Sequence, residues 1–319
     1  MSITIGIDLG GTFIKGGVLR GDREVLVSDK IPTEGKGGPG HVMDRIALLA
    51  KQVAAKAGVE WGEVEGVGVG TPGPLDENEC VIMAPNLPGW TDIDLRTGIN
   101  ERLGCPVRVV NDANAAALGE FAAGVGRDES IRHLVLLTLG TGVGGGVIVD
   151  GKLFTGAHGA GAELGHSIIV VNGRPCAAGE LGSIESYCSA TSIVKEAERR
   201  VVEEGKEASW AEAAREGTLT ARMLFDAMEA GDELAESVID EACMYLGASC
   251  VNMARYFDPQ MIVLGGGVAA AGDALVSRVT KWFHELTWHV RKERAVVKAA
   301  ELGNDAGFIG AAVLARERF

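Results

Sequence analysis

The sequence predicts an α/β protein of two related domains, with mixed sheets flanked by helices and a ligand cleft between them. Three observations carry this reading. Strand-like apolar runs alternate with helix-like stretches along most of the chain. A strand, a glycine-rich turn and a second strand occur in that order twice, across Ile3 to Leu19 and across Leu134 to Val149. A chain of 319 residues is also long for a single hydrophobic core.

Strands are expected at 3–7, 16–20 and 24–30, followed by a flexible loop from Gly35 to Gly40. Met43 to Ala57 has apolar residues at helical spacing and stops before Gly58, a helix-ending residue. Val64 to Val69 reads as a short strand, ended by the rigid turn Thr71-Pro72-Gly73-Pro74. A helix over Arg96 to Leu103, a strand over Pro106 to Val110 and an alanine-rich helix over Ala113 to Ala123 complete the first part. Strands at 134–139 and 145–150 open the second part, and a loop-rich region fills 151–188. Helices are expected near 190–204, 208–215, 219–229 and 233–256. Asp258-Pro259 then turns the chain into a strand, Met261 to Leu264, and Gly265-Gly266-Gly267 leads into another helix. The domains read as 1–115 and 116–303, with a terminal helix in 304–319 packing back on the first.

Composition narrows the function classes. Hydrophobic residues at 46% and charged residues at 23% are ordinary for a globular protein. A net charge of −14 argues against nucleic acid as a partner, which needs clustered Lys and Arg. It also means that any phosphate must be held by local donors and a metal ion. The six cysteines, at 80, 105, 176, 188, 243 and 250, do not form a secreted disulfide framework. No signal-peptide pattern starts the chain, and its longest uncharged run, Leu134 to Val149, is too short and glycine-rich to span a bilayer. A cytoplasmic protein with no membrane partner is the expectation.

The glycine turns carry the chemistry. Gly140-x-Gly142-x-x-Gly145 matches the dinucleotide fingerprint as a string, but that motif must open a helix and here a strand follows. No Gly-Lys-Ser/Thr ending marks a P-loop. Either turn alone is an ordinary hairpin. The repeat, together with Asp8 opening the first turn, favours phosphate binding, because glycines let exposed N–H groups approach anionic oxygens. In that reading Asp8 holds magnesium directly or through water. Thr12, Thr141 and the backbone of Gly10, Gly11 and Gly142 face phosphate. Lys15 either adds a positive charge there or is a solvated strand residue. Gly265-Gly266-Gly267 either carries a flat purine ring or permits tight packing.

Asn111-Asp112 ends a strand, at the edge where α/β proteins place ligands. Asp112 is a candidate base for an attacking hydroxyl, and equally a candidate N-cap for the following helix. Glu163 and His166, three residues apart, share a face on a helical turn, and with Glu185 they form a polar set suited to a polyol.

Together these stretches resemble the ROK family of sugar kinases and sugar-responsive repressors, within the actin/hexokinase-like (ribonuclease H-like) fold. Asp8-Leu9-Gly10-Gly11-Thr12 and Leu139 to Gly146 resemble its two phosphate motifs. Thr71-Pro72-Gly73-Pro74 and Asn86-Leu87-Pro88-Gly89-Trp90 resemble its sugar-side loops. Asn111 to Ala116 resembles its catalytic segment, and Glu163-Leu164-Gly165-His166 its sugar-binding motif. The resemblance implies ATP and Mg2+ as cofactors, a hexose substrate, glucose first, phosphorylated at its 6-hydroxyl, and Asp112 as base. It implies Gly73, Asn86, Leu87, Asn111, Asp112, Glu163, His166 and Glu185 as sugar contacts, domain closure over sugar, and a homodimer or homotetramer. Repressors of the family carry a DNA-binding domain ahead of the first motif, which here begins at residue 3, so a repressor is not expected. One departure concerns metal. The family's structural zinc uses a histidine and a Cys-x-Cys-Gly-x-x-Gly-Cys stretch, which reads here Cys176-Ala177-Ala178-Gly179-Glu180-Leu181-Gly182-Ser183. With His166, Cys176 and at best Cys188 remaining, zinc is not expected. His166 and the loop from 166 to 188 must then be held in other ways.

Overall fold

The computed structural model describes residues 2–288, 290 and 295–316. The chain forms two compact units, the first comprising Met1–Leu134, Gly146–Ala162 and Glu301–Phe319, the second Val135–Gly145 and Glu163–Ala300.

The first unit begins with β1 (Ile3–Leu9), β2 (Phe13–Arg20), β3 (Glu24–Pro32) and α1 (Gly38–Lys56). It continues through β4 (Val64–Thr71), β5 (Val81–Met83), β6 (Thr91–Ile93), α2 (Leu95–Leu103), β7 (Val107–Asn111) and α3 (Asp112–Ala122). Its sheet is ordered β3-β2-β1-β4-β7. The β1–β2 and β2–β3 pairs are antiparallel, and the β1–β4 and β4–β7 pairs are parallel. The parallel pairs bring the carboxyl ends of β1, β4 and β7 to one edge, where Asp8 pairs with Gly70 and Thr71 with Asn111. One face of the sheet is covered by α1, whose Val42, Ile46, Leu49 and Val53 share one buried core with Ile5, Ile7 and Val67 of the strands. The expected loop at 35–40 is mostly helix: α1 starts at Gly38, ahead of its apolar stripe, because Pro39 presets a first-turn backbone angle.

The chain then forms β8 (Leu134–Leu139), β9 (Val143–Val149), β10 (Lys152–Leu153), α4 (Glu185–Cys188), α5 (Ala190–Val202), α6 (Ala211–Glu216) and α7 (Ala221–Glu229). The last elements are α8 (Glu233–Phe257), β11 (Met261–Gly265), α9 (Asp273–Leu286), β12 (Val296–Ala299) and α10 (Ala306–Leu314). The second sheet is ordered β10-β9-β8-β11-β12. In the second unit α9 presents Leu275, Val279 and Phe283 at four-residue spacing, and these are buried together with Ile239 and Leu246 of α8. The triple glycine does not open α9 directly. A 3-10 turn at Val268–Ala271 intervenes and is broken by Gly272 at φ 57°.

The sequence boundary at 115 is corrected: it would cut α3, which packs along its length on α10. Both helices belong to the first unit. α10 also lies on β1 and β4. A Cβ on Gly6 or Gly68 would collide with the α10 backbone at Phe308 or Ala311, so glycine lets this helix reach the sheet. Residues 317–319 of the expected terminal helix lie outside the described residues.

Candidate functional site

In the first unit, Asp8 ends the buried run of β1 and is itself half-buried. Loss of water around its carboxyl, with the nearby charge of Asp112, raises its pKa to about 6, and Lys15 opposes the shift. The turn that follows is fixed by backbone: the Gly10 N–H donates to Phe13 O at 3.0 Å. Thr33, fully buried, donates its hydroxyl to Gly10 O at 2.6 Å and its N–H to Thr12 O at 2.9 Å. Sequence reasoning missed Thr33, because its contact crosses to the end of another strand. Gly11 faces Asn86, whose Cβ lies 3.6 Å from where a Gly11 Cβ would sit. Lys15 of β2 meets the last part of the chain. Its ammonium pairs with Asp305 and donates to Asn304 O at 3.2 Å, because the return of the chain at 304–308 lies beside it.

The cap of α3, which the sequence offered to Asp112, is made by Asn111. The Asn111 side chain caps α3, accepting from the N–H groups of Ala113 and Asn114 at 2.9 and 3.2 Å. Its Nδ2 donates to Gly73 O at 3.2 Å, so the same side chain ties α3 to the loop after β4. Asp112 is therefore the first helical residue, with Oδ1 also accepting from Ala113 N–H at 2.8 Å. A carboxylate in the first turn is favoured by the helix dipole. Gly73, at φ 89°, fits because a Cβ there would strike Met83 O. Asn86 is exposed. Leu87 is 2% exposed, and its side chain belongs to the core with Trp90, which ends the same loop.

In the second unit, the turn 140–142 is closed by Gly140 N–H to Gly142 O at 2.9 Å. The start of α5 braces it. Ala190 N–H donates to Gly140 O at 2.9 Å, and the Thr191 hydroxyl to Thr141 O at 2.8 Å. Ser189 caps α5 by accepting from Ser192 N–H at 3.1 Å. Glu185 joins the same structure, since its Oε2 accepts from Val143 N–H at 3.0 Å. Gly266 takes φ 81° and passes close to the Leu139 backbone, so β11 ends against this turn. Gly267 and Ala190 border a cavity of about 450 Å3 that Arg222, Phe225, Glu229 and Val268 also line. Its aromatic and aliphatic walls suit a flat ring. Of these residues, sequence reading found only the glycine.

Glu163 precedes a 3-10 turn, Leu164–His166, and the His166 N–H donates to Glu163 O at 3.2 Å. Gly165 is required there, because a Cβ would strike Val143 O. Surrounding protein strips enough water from the Glu163 carboxyl to raise its pKa, although the residue as a whole is surface-accessible, and His166 opposes the shift. The His166 ring meets Glu180, Nδ1 to Oε2 at 2.8 Å. Ligand atoms of His166, Cys176 and Glu180 lie within 4.8 Å of one another. A closed zinc site takes four ligands, and this set offers three. Cys188 does not join them: it is buried, its Sγ donates to Ala242 O at 3.6 Å, and burial pushes its thiol well above the ordinary range. The residues thus do not fit the family's structural zinc.

Comparison with known proteins gives the family. The profile of the ROK family matches residues 4–318. A glucokinase of Halalkalibacterium halodurans is 35% identical over 315 residues, 98% of this chain and 95% of that protein. A ROK family glucokinase from Streptomyces griseus, solved in complex with glucose and AMPPNP, is 33% identical with a TM-score of 0.81, covering 99% of each chain. A ROK hexokinase from Thermus thermophilus is also 33% identical with a TM-score of 0.81, covering 98% of this chain and 97% of that one.

Proposed function

The chain belongs to the ROK family, and from that premise we propose that it transfers the terminal phosphoryl group of ATP to the 6-hydroxyl of glucose. One observation carries the reading most directly. Asp112 opens α3 beyond the end of β7, and its charge is felt by Asp8 at the end of β1. A carboxylate placed to take a proton and a second placed to hold a cation are what phosphoryl transfer to an alcohol needs.

The roles follow from the chemistry of each group. Asp112 accepts the hydroxyl proton as the oxygen attacks the phosphorus, and the bond from that phosphorus to ADP breaks. Asn111 holds Asp112 and the Gly73 loop in register. Asp8 suits magnesium, which takes few carboxylates and keeps its waters; when bound, the ion neutralises charge on phosphoryl oxygens. Gly11 and Thr12 in the first unit and Thr141 and Gly142 in the second are assigned as phosphate donors, with Gly10 shaping the first turn, its own N–H being held by Phe13 O. The cavity beside Gly267, with Phe225 as a wall, takes the base. Glu163, His166 and Asn86 are the polar side chains assigned to the sugar hydroxyls, and Glu185 acts there through the turn it holds. Lys15 is assigned to bracing the 304–308 return, not to phosphate.

A coupled assay of ADP release with a hexose panel tests the reading. Glucose is expected to give the highest kcat/KM among glucose, mannose, fructose, N-acetylglucosamine and N-acetylmannosamine. Preference for an acetamido sugar would retain the kinase and reassign its substrate. ADP release that no sugar stimulates would overturn the proposal.

A further inference from the structure

The segment 166–188 of the second unit must hold His166 in place, and the four-ligand zinc site of the family is broken in it. Ala178 and Ser183 stand where that site has cysteines. The Ser183 hydroxyl is itself fully buried and paired with Ser186 Oγ at 3.0 Å. We propose that this segment is held without zinc, by two polar staples made by Glu180 and Arg174.

The first staple is the His166–Glu180 contact. A carboxylate on Nδ1 fixes the ring plane and favours the tautomer with its proton there, leaving Nε2 as the acceptor. The short bridges Pro175–Leu181 and Ile168–Ser183 fold the chain back so that Glu180 reaches the histidine. The Cys176 N–H donates to Glu180 O at 2.8 Å and closes the same turn.

Arg174 makes the second staple, at the middle of the segment. Its guanidinium reaches Glu196 Oε2 at 2.9 Å and Glu241 Oε1 at 2.8 Å, and lies 4.8 Å from the centre of the Tyr187 ring. Its backbone N–H donates to the Tyr187 hydroxyl at 3.0 Å. One side chain thus joins the segment to α4, α5 and α8. Arg200 binds the same two carboxylates, with Nε 2.7 Å from Glu196 Oε1 and Nη2 on Glu241, and Arg199 completes the set around Glu196. Glu196 is only 6% exposed, so the network sits where charge pairs are little screened by solvent. Planar guanidinium groups suit such shared carboxylates, and lysine would not replace them.

Glu180 and Arg174 are positioning residues, and their effect on sugar rests on the sugar-kinase reading; metal content and thermal stability do not. The test purifies the intact protein without added metal, measures zinc per chain, and records the melting temperature with and without a zinc chelator. Expected results are zinc well below one per chain and a melting temperature unchanged by the chelator. Cys176→Ser should leave both unchanged. Glu180→Ala should raise the sugar KM about tenfold with the ATP KM unchanged, as loss of one hydrogen bond to a charged group implies. Glu180→Gln, which retains an acceptor, should recover most of that. Arg174→Gln should lower the melting temperature. One tightly held zinc per chain, whose removal or whose loss in Cys176→Ser lowers the melting temperature, would overturn the proposal. So would Glu180→Ala and Arg174→Gln proteins that match the parent in melting temperature and sugar KM. If no sugar is phosphorylated, the kinase reading fails, while the metal and stability measurements still decide this one.

Discussion

Glu185 Oε2 lies 3.0 Å from the backbone nitrogen of Val143, so a carboxylate on α4 holds the first N–H of β9. The second glycine turn and the helix that follows the sugar segment are thereby one mechanical piece. Glu185→Ala leaves that N–H without its acceptor, which is worth about 1–3 kcal/mol. The expected outcome is a lower denaturation midpoint together with a raised KM for both ATP and sugar. Glu185→Gln, which keeps a carbonyl acceptor, should recover most of the stability. A protein with Ala here that shifts only the sugar KM would mean that Glu185 contacts sugar directly and does not act through the turn.

Asp112→Asn tests the base. The amide retains the size of the side chain and its place in the first turn of α3, so folding and sugar affinity should persist. Turnover should fall at least ~10²-fold, the lower range for a positioned proton acceptor. Isothermal titration with glucose, beside the coupled assay, separates the two effects. Turnover near that of the parent would remove Asp112 from the role.

With magnesium assigned to Asp8 under the proposed function, its binding should depend on pH. Its carboxyl is raised to about 6, above the ordinary 3.8, so in the free protein it is protonated below about pH 6 and ionised above. A cation competes with that proton. Magnesium affinity should therefore be nearly flat above pH 7 and weaken about tenfold per unit below pH 6. Folding has the opposite sign: an acid with a raised pKa destabilises the folded state once ionised, so the penalty is full above about pH 6 and is relieved as pH falls from about 6 toward 3.8. Titration of magnesium at pH 5 and pH 7.5 checks this, and Asp8→Asn should abolish the difference.

What the sequence disclosed follows a physical pattern. The turn after Asp8 and the cap at Asn111-Asp112 rest on contacts within a few residues, so local composition revealed them. Even there the cap moved by one residue, because Asn and Asp both accept N–H groups well and only backbone geometry decides between them. Leu87 sits in a polar-looking loop, yet its side chain is core, since that loop folds over its own Trp90. Thr33, Thr191, Phe225 and Arg174 were illegible for a different reason. Each acts on a group far along the chain, and no periodicity encodes such a meeting. The family resemblance named the zinc that is broken here; it did not name what replaces it.

The cavity beside Gly267, assigned to the nucleotide base under the proposed function, gives a separable test. Gly267 borders the cavity and has open space where a Cβ would stand, so Gly267→Val should fold normally and fill part of the volume. The expected result is a raised KM for ATP with the sugar KM unchanged. Phe225→Ala removes a wall of the same cavity, but Phe225 is 6% exposed, so some loss of stability should accompany its effect on ATP. Unchanged ATP KM in the Gly267 variant would place the base elsewhere.

Glu120 shows how a distant contact shapes the first unit. It is fully buried in α3, and its carboxyl accepts from Val125 N–H at 3.1 Å, Glu301 N–H at 3.1 Å and Leu302 N–H at 2.7 Å. The last two belong to the segment that returns 182 residues later and leads into α10. From there Asp305 binds Lys15, and a Cβ on Gly307 would come within 2.8 Å of the Asp8 carboxyl. Glu120 is thus the anchor that sets α10 against Asp8. Glu120→Ala leaves three backbone donors without their acceptor; they are partly accessible to water, so the cost is about 1–3 kcal/mol in all. Glu120→Gln keeps one acceptor oxygen and should lose about half as much. Guanidinium unfolding followed by circular dichroism gives the size of each loss. The sharper expectation concerns function: in the folded fraction, magnesium affinity at pH 7.5 should fall with Glu120→Ala, because α10 no longer holds the environment of Asp8. Loss of stability with magnesium affinity unchanged would confine Glu120 to folding and separate it from the site.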